Sequence, residues 1–198
     1  MVARAAALIG VLATAALVAG CATTRTASPV GAGAPDPAQL TQWTARGRIA
    51  LAAQGEGGSG SFVWQQRSER TELALRGPLG AGGLQLTLDG EVLELADPGG
   101  TPLDGAAART ELERRLGARL PLAELRYWLL GIPAPADIAD GPVQQATGAV
   151  PGFVQAGWVV SYDDMGGQGA WILPAKLTAT SGSTRVRIVI DDWTVPPP

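Results

Sequence analysis

The 198-residue chain has no histidine, one cysteine (Cys21) and one lysine (Lys176). Without histidine, a Ser-His-Asp triad, a histidine-bearing zinc site and an imidazole pH switch are excluded. A single cysteine excludes an intramolecular disulfide and a cysteine-only metal site. Fifteen basic residues against 18 acidic ones leave a net charge of −3. That is far from the dense positive face that sequence-independent nucleic-acid binding needs, so no nucleic-acid partner is expected. Asp163-Asp164 and Asp191-Asp192 are adjacent carboxylate pairs. Neighbours on a strand point to opposite faces, so neither pair is expected to act together. Ser59 and Ser61 lack a base, and the glycines at 80–83 lack the lysine and helix start of a phosphate loop. These residues predict no catalytic group, no metal and no cofactor, and the chain is not expected to be an enzyme.

What is abundant is glycine and apolar residues. The 27 glycines are about twice the usual share of roughly 7%, which favours turns over helix bundles. Hydrophobic residues make up 46% of the chain, enough for a core. Residues 1–20 carry one positive charge, Arg4, then an uncharged run to Val18. That run is shorter than the ~20 residues needed to cross a bilayer, and its layout is that of a signal peptide. It ends Leu17-Val18-Ala19-Gly20-Cys21, which resembles the lipobox of bacterial lipoproteins. The resemblance implies that Cys21 becomes the lipidated first residue of the mature protein, held by several acyl chains; an ordinary secretory signal with an incidental cysteine is the alternative. Ala22, where a retention signal would place aspartate, leaves the outer membrane open as a destination. Residues 21–38 read as a lipidated flexible tether, and 39–195 as one domain.

That domain reads as mainly β. In residues 41–53, Trp43, Ala45, Gly47, Ile49 and Leu51 alternate with polar side chains, the period of a half-buried strand. A turn is expected at 55–60, then strands at 61–66, 71–76 and 84–88, with an Asp89-Gly90 hairpin returning through Leu93 and Leu95. Two helices are expected at 105–116, with Asp104 as N-cap and Gly117 as stop, and at 122–130. Leu122, Leu125, Trp128 and Leu129 form one apolar stripe on the second. Residues 133–150 read as loop, and strands resume at 157–162, 175–179 and 184–193. An antiparallel sheet must cover its apolar face. A half-barrel closed by the helical insert would do so and could enclose a lipid-sized cavity.

Two features bear on use. Leu79 sits among Gly77, Pro78 and Gly80, where a turn tip is expected; it either folds back onto the sheet or meets an apolar partner. Six tryptophans, at 43, 64, 128, 158, 171 and 193, serve equally as core or as the wall of an apolar cavity.

An ordered set of motifs follows the lipobox. Trp43 with Arg46-Gly47-Arg48-Ile49-Ala50, Phe62-Val63-Trp64-Gln65, Leu73 to Gly80 and Leu129-Leu130-Gly131-Ile132-Pro133 come first. Gly157 to Tyr162, Leu173 to Leu177 and Arg187 to Trp193 come after them. Together they resemble the LolB family of outer-membrane lipoproteins over about residues 40–193. The resemblance implies an unclosed antiparallel β-barrel with a short helical lid over an apolar cavity. It implies lipoprotein transport: acylated client lipoproteins are received from the periplasmic carrier LolA and inserted into the outer membrane. The ligand would be the clients' acyl moiety, the membrane loop would be Gly77, Pro78, Leu79 and Gly80, and the protein would be a lipid-anchored monomer on the periplasmic face. Candidate cavity and lid residues are Trp43, Trp64, Leu75, Leu86, Leu125, Trp128, Leu129, Trp158, Ile190 and Trp193. The alternative is an anchored scaffold lipoprotein of the envelope without a ligand cavity. A hydrolase using Asp or Ser would need converging carboxylates that the sequence does not offer.

Overall fold

A computed structural model describes residues 34–77, 83–96, 99–135, 144–145 and 151–197. Residues 33–198 cluster as one compact unit with its own core. The strands are β1 (Gln42–Ala53), β2 (Glu56–Arg67), β3 (Arg70–Arg76), β4 (Leu84–Asp89), β5 (Val92–Ala96) and β6 (Leu103–Asp104). The second set is β7 (Gln144–Gln145), β8 (Gly152–Gln155), β9 (Trp158–Gln168), β10 (Trp171–Ser181) and β11 (Thr184–Thr194). Between the sets lie α1 (Gly105–Leu116) and α2 (Leu122–Leu129). All neighbours pair antiparallel in one eleven-stranded sheet ordered β6-β5-β4-β3-β2-β1-β11-β10-β9-β8-β7.

Each set is a meander of sequential hairpins, and the two are sewn together where β1 pairs with β11. The sheet's edges, β6 and β7, do not pair with each other. The barrel is therefore unclosed, as expected, and the chain crosses from edge to edge through the helices. Alternation carries the inner face: Trp43, Ala45, Ile49 and Leu51 on β1 are buried while Arg46, Arg48, Ala50 and Ala52 are exposed. The same period buries Val186, Ile188 and Ile190 on β11. The helices fold onto this inner face and bury Ala108, Leu112 and Leu116 from α1 and Leu125, Trp128 and Leu129 from α2.

Several expectations change. Residues 55–60 are not a turn: the turn is confined to Gln54 and Gly55, both at positive φ, and β2 runs from Glu56. The glycines there serve close strand approach, since a Cβ on Gly60 would run into the Arg76 carbonyl. Strand β8 and the short β7 fall in or beside the expected loop at 133–150. Asp104 stands at the N-cap with extended backbone, but its side chain makes no capping bond; the C-terminal end is closed by Gly117 at φ 67°, whose N–H donates to Glu113 at 2.8 Å. Strand β9 continues through Asp163 and Asp164 to Gln168.

Asp191 and Asp192 depart from the strict alternation assumed for them. The register shifts between Arg46 and Gly47, so that Arg46 pairs with Asp192 while Gly47 pairs with Ile190. This bulge leaves both aspartates exposed. Each takes an arginine of β1: Arg46 to Asp192 at 3.3 Å and Arg48 to Asp191 at 2.8 Å. The Arg48 hydrogen bonds hold the Asp191 carboxyl below the usual carboxylate range. The pair is a structural clasp across β1 and β11.

Candidate functional site

Strand alternation and the helical stripe converge on one volume between sheet and helices. On the sheet side its wall is Ile49 and Leu51, Phe62 and Trp64, Leu73 and Leu75, Leu86 and Ile188. On the helix side it is Leu112, Leu116, Leu120, Leu122, Leu125 and Leu129. Among the described residues, no charged or polar side chain lines it. The enclosed void is about 20 Å³, room for about one water. The lipid-sized cavity expected from the sequence is thus not open in this conformation, because the helical leucines reach down and fill it.

Two clefts flank the void and share its walls. The larger, about 780 Å³, runs between the β4–β5 turn, α1, the connection at 117–121 and the β10–β11 turn. Leu112, Leu120 and Leu122 face both it and the void, while Arg109, Glu113, Arg119 and Glu124 stand at its rim. The second, about 440 Å³, lies between the β1–β2 hairpin and the C-terminal end of α1, and shares Leu51 and Leu116 with the void. The apolar wall therefore meets solvent on either side of α1.

The two helices are held differently. The end of α2 is fixed by buried polar bonds. Trp128 Nε1 donates to Gln155 Oε1 at 3.1 Å, and the Ala134 N–H donates to the same oxygen at 2.8 Å. Gln155 Nε2 donates back to the Ala134 carbonyl at 2.7 Å, and the Tyr162 hydroxyl donates to the Trp128 carbonyl at 3.0 Å. Burial pushes the Tyr162 phenol upward, so it stays a donor. Arg126 adds a link from α2 to Glu69 on the β2–β3 turn at 3.4 Å. On α1 the polar contacts lie at the surface: Arg109 donates to the Glu91 carbonyl at 2.6 Å, and Glu111 holds Arg114 and Arg115, each at 2.7 Å.

Of the sequence candidates, Trp64, Leu75, Leu86, Leu125 and Leu129 line the void, and Trp158 lines the larger cleft. Trp43, Trp128, Ile190 and Trp193 are buried but line neither. Trp43 stacks on Trp64 at 6.1 Å and meets Trp193 edge-on at 5.3 Å, while Trp193 Nε1 donates to the Pro174 carbonyl. Trp128 packs against Phe153 and Trp158. Leu112 and Leu116 were absent from the sequence candidates, although their spacing of four puts them on one helix face. Leu120 and Leu122 were not among them either, nor were Ile49, Leu51, Phe62, Leu73 and Ile188, although alternation puts those five on the inner face. Gly77 ends β3 at φ 97°, exposed; Cys21, Pro78, Leu79 and Gly80 lie outside the described residues.

The family described as "Outer membrane lipoprotein LolB" matches residues 41–193. A protein named outer-membrane lipoprotein LolB from Alkalilimnicola ehrlichii is 35% identical over 157 residues, covering 79% of this chain and 78% of the relative. One of the same name from Pseudomonas fluorescens is 33% identical over 190 residues, covering 90% and 91%. Among solved structures, a DUF1329-family protein from Desulfovibrio piger aligns with TM-score 0.51 at 6% identity, covering 80% of this chain and 87% of the other. That likeness concerns the fold alone.

Proposed function

Because the chain belongs to the outer-membrane lipoprotein LolB family, its role lies in lipoprotein localisation at the outer membrane, and we propose that it does so by holding the acyl chains of client lipoproteins between sheet and helices. The observation that carries this is the wall itself: fourteen described residues, all apolar, converge on one volume whose walls are shared with two clefts. Removing a CH₂ from water is worth about 0.8 kcal/mol, so a chain of roughly sixteen carbons resists water by about 12 kcal/mol. A client must therefore be passed from one apolar site to the next. The sequence resemblance supplies the donor, the carrier LolA, and Cys21 the anchor that keeps the acceptor at the outer membrane on its periplasmic face. The family's role is non-enzymatic, and no acid, base or metal is needed for a hand-over driven by successive affinities.

A void of about 20 Å³ cannot hold such a chain, so this conformation is the closed one. Opening displaces α1 and the connection at 117–121, which border both clefts, while α2 stays pinned at the Gln155 end. The bilayer then takes the chains from the acceptor, with Leu79 as the contact.

The test is transfer. Acylated client bound to the carrier is mixed with liposomes, with and without this protein, and client in the liposomes is followed over time. Faster transfer in its presence is expected; equal rates would sink the proposal. The near-absence of free volume favours one competing reading, an anchored scaffold with a closed core. A fluorescent fatty acid separates the two, since a scaffold shows no saturable binding.

A further inference from the structure

Most arginines among the described residues are partnered by carboxylates. Arg46, Arg48, Arg67, Arg70, Arg114, Arg119 and Arg126 each meet an aspartate or glutamate within 4 Å. Of the described arginines without a carboxylate, Arg109 meets the Glu91 carbonyl, and the other three share one place. Arg76 ends β3, and Arg185 and Arg187 stand near the start of β11; all three are exposed and make no ion pair or hydrogen bond among the described residues.

Register puts them on the outer face at one end of the sheet. Arg76 pairs with Ser61, Ser61 with Arg48, and Arg48 with Val189. One step further toward the β1–β2 hairpin, Arg187 pairs with Ala50 and Ala50 with Ser59. One step beyond that, Arg185 pairs with Ala52 and Ala52 with Gly57. Three strand spacings of about 4.8 Å separate β11 from β3 and four residues of about 3.3 Å separate the rows of Arg185 and Arg76, so the three positions span roughly 20 Å. The outward residues between them are Ala50, Ala52, Ser59 and Ser61, too short to cover an arginine. Beyond the Arg48–Asp191 pair, the outer faces of β11, β1, β2 and β3 carry no described acid at this end. The acids Glu69, Asp89, Asp191 and Asp192 stand toward the other end of the sheet, and Asp164 lies level with Arg76 but two strands beyond β11, behind Lys176, which pairs with Val189. Gly60 fixes the geometry, since its missing Cβ lets the Arg76–Gly77 backbone pack directly against β2.

We propose that this outer face is a docking surface for anionic phospholipid, with Arg76, Arg185 and Arg187 binding headgroup phosphates. Guanidinium presents a fork of donors that suits phosphate, and the polarised charge orients an acidic protein with this end toward an anionic surface. The inference rests on the membrane-delivery reading above and adds which lipid is recognised and by which face.

Each arginine near an anionic surface contributes about fivefold in affinity, so the three together amount to about a hundredfold. The test uses residues 22–198, which contain the whole compact unit, and vesicle co-sedimentation. Vesicles are phosphatidylcholine alone or mixed with phosphatidylglycerol. Arg76→Gln/Arg185→Gln/Arg187→Gln is compared with a charge-matched control at the other end, Arg46→Gln/Arg67→Gln/Arg70→Gln. Expected is about a hundredfold loss on anionic vesicles for the first triple only, no effect of either on neutral vesicles, and loss of the parent's preference in high salt. Equal losses in both triples would reduce the effect to net charge and overturn the proposal, as would no loss in the first, the result expected if the face instead served an acidic protein. Fatty-acid binding by the same variants keeps the outcomes apart. If the parent and both triples bind no fatty acid, the acyl-chain reading fails whatever the vesicles show.

Discussion

Replacing Gln155 by leucine tests whether the end of α2 is the fixed point of the lid. Gln155 is 1% exposed, and its amide satisfies Trp128 Nε1, the Ala134 N–H and the Ala134 carbonyl at 2.7–3.1 Å. Trp128 is 0% and Ala134 3% exposed, so water does not readily replace the lost partner. Leucine matches the shape but orphans three polar groups, at about 1–3 kcal/mol each. The expected loss is about 4 kcal/mol, a large fraction of the 5–15 kcal/mol that holds a domain together. With a urea slope of about 2 kcal/mol/M, the midpoint falls by about 2 M. Amide exchange should quicken first over residues 128–135, before α1 responds. A loss below about 1 kcal/mol, or quickening that begins in α1, would refute the assignment of the fixed end.

Leu116→Ala removes a side chain that fills the void from α1. It should weaken the closed form by about 2–5 kcal/mol and tighten binding of a fluorescent fatty acid at least tenfold, because helix and ligand compete for one wall; unchanged or weaker binding would contradict that competition. Leu79→Glu should leave fatty-acid binding intact yet block client release to liposomes, since a charge resists the apolar region; equal release would remove Leu79 from the mechanism. Glu111 is held down to about 2 by Arg114 and Arg115, against an ordinary 4.5. Its contribution to α1 is therefore complete above about pH 4.5 and fades as pH falls toward 2. Amide exchange in α1 followed from pH 6 downward should show loosening in that window, and Glu111→Gln should abolish the pH dependence.

Strict alternation made most of the sheet readable. Trp43 to Leu51, Leu73 to Leu75 and Val186 to Ile190 each repeat every two residues, and the side chains marked by that period face inward. Helix α1 was legible to the residue because its sequence is rich in alanine, glutamate, leucine and arginine up to Gly117. Glycine misled where two roles look alike in one dimension. Gly55 and Gly60 are five positions apart, yet one turns the chain and the other lets strands touch, a matter of long-range pairing. The bulge at Arg46/Gly47 was hidden for the same reason, since it exists only in the register with β11. At the candidate site the sequence singled out Trp64, Leu75 and Leu86 of the sheet wall and Leu125 and Leu129 of α2, and no residue of α1. Leu112 and Leu116 mark a buried stripe, but which surface buries it is decided by the crossing from β6 to β7.

That crossing arrangement also sets a length requirement on the segment before the domain. The chain enters the sheet at Gln42, beside the end of β11 at Thr194. Gly77 packs beside Gly60, which pairs with Ile49, seven residues up β1 and about 23 Å from Gln42. A lipid on Cys21 and a loop beyond Gly77 can meet the same bilayer only if the leash between Cys21 and Gln42 covers that rise. Fully extended, those residues reach about 70 Å, a threefold margin. Shortening the leash should therefore be silent until about seven extended residues remain, and below that length delivery by the anchored protein should stop abruptly while its acyl binding persists.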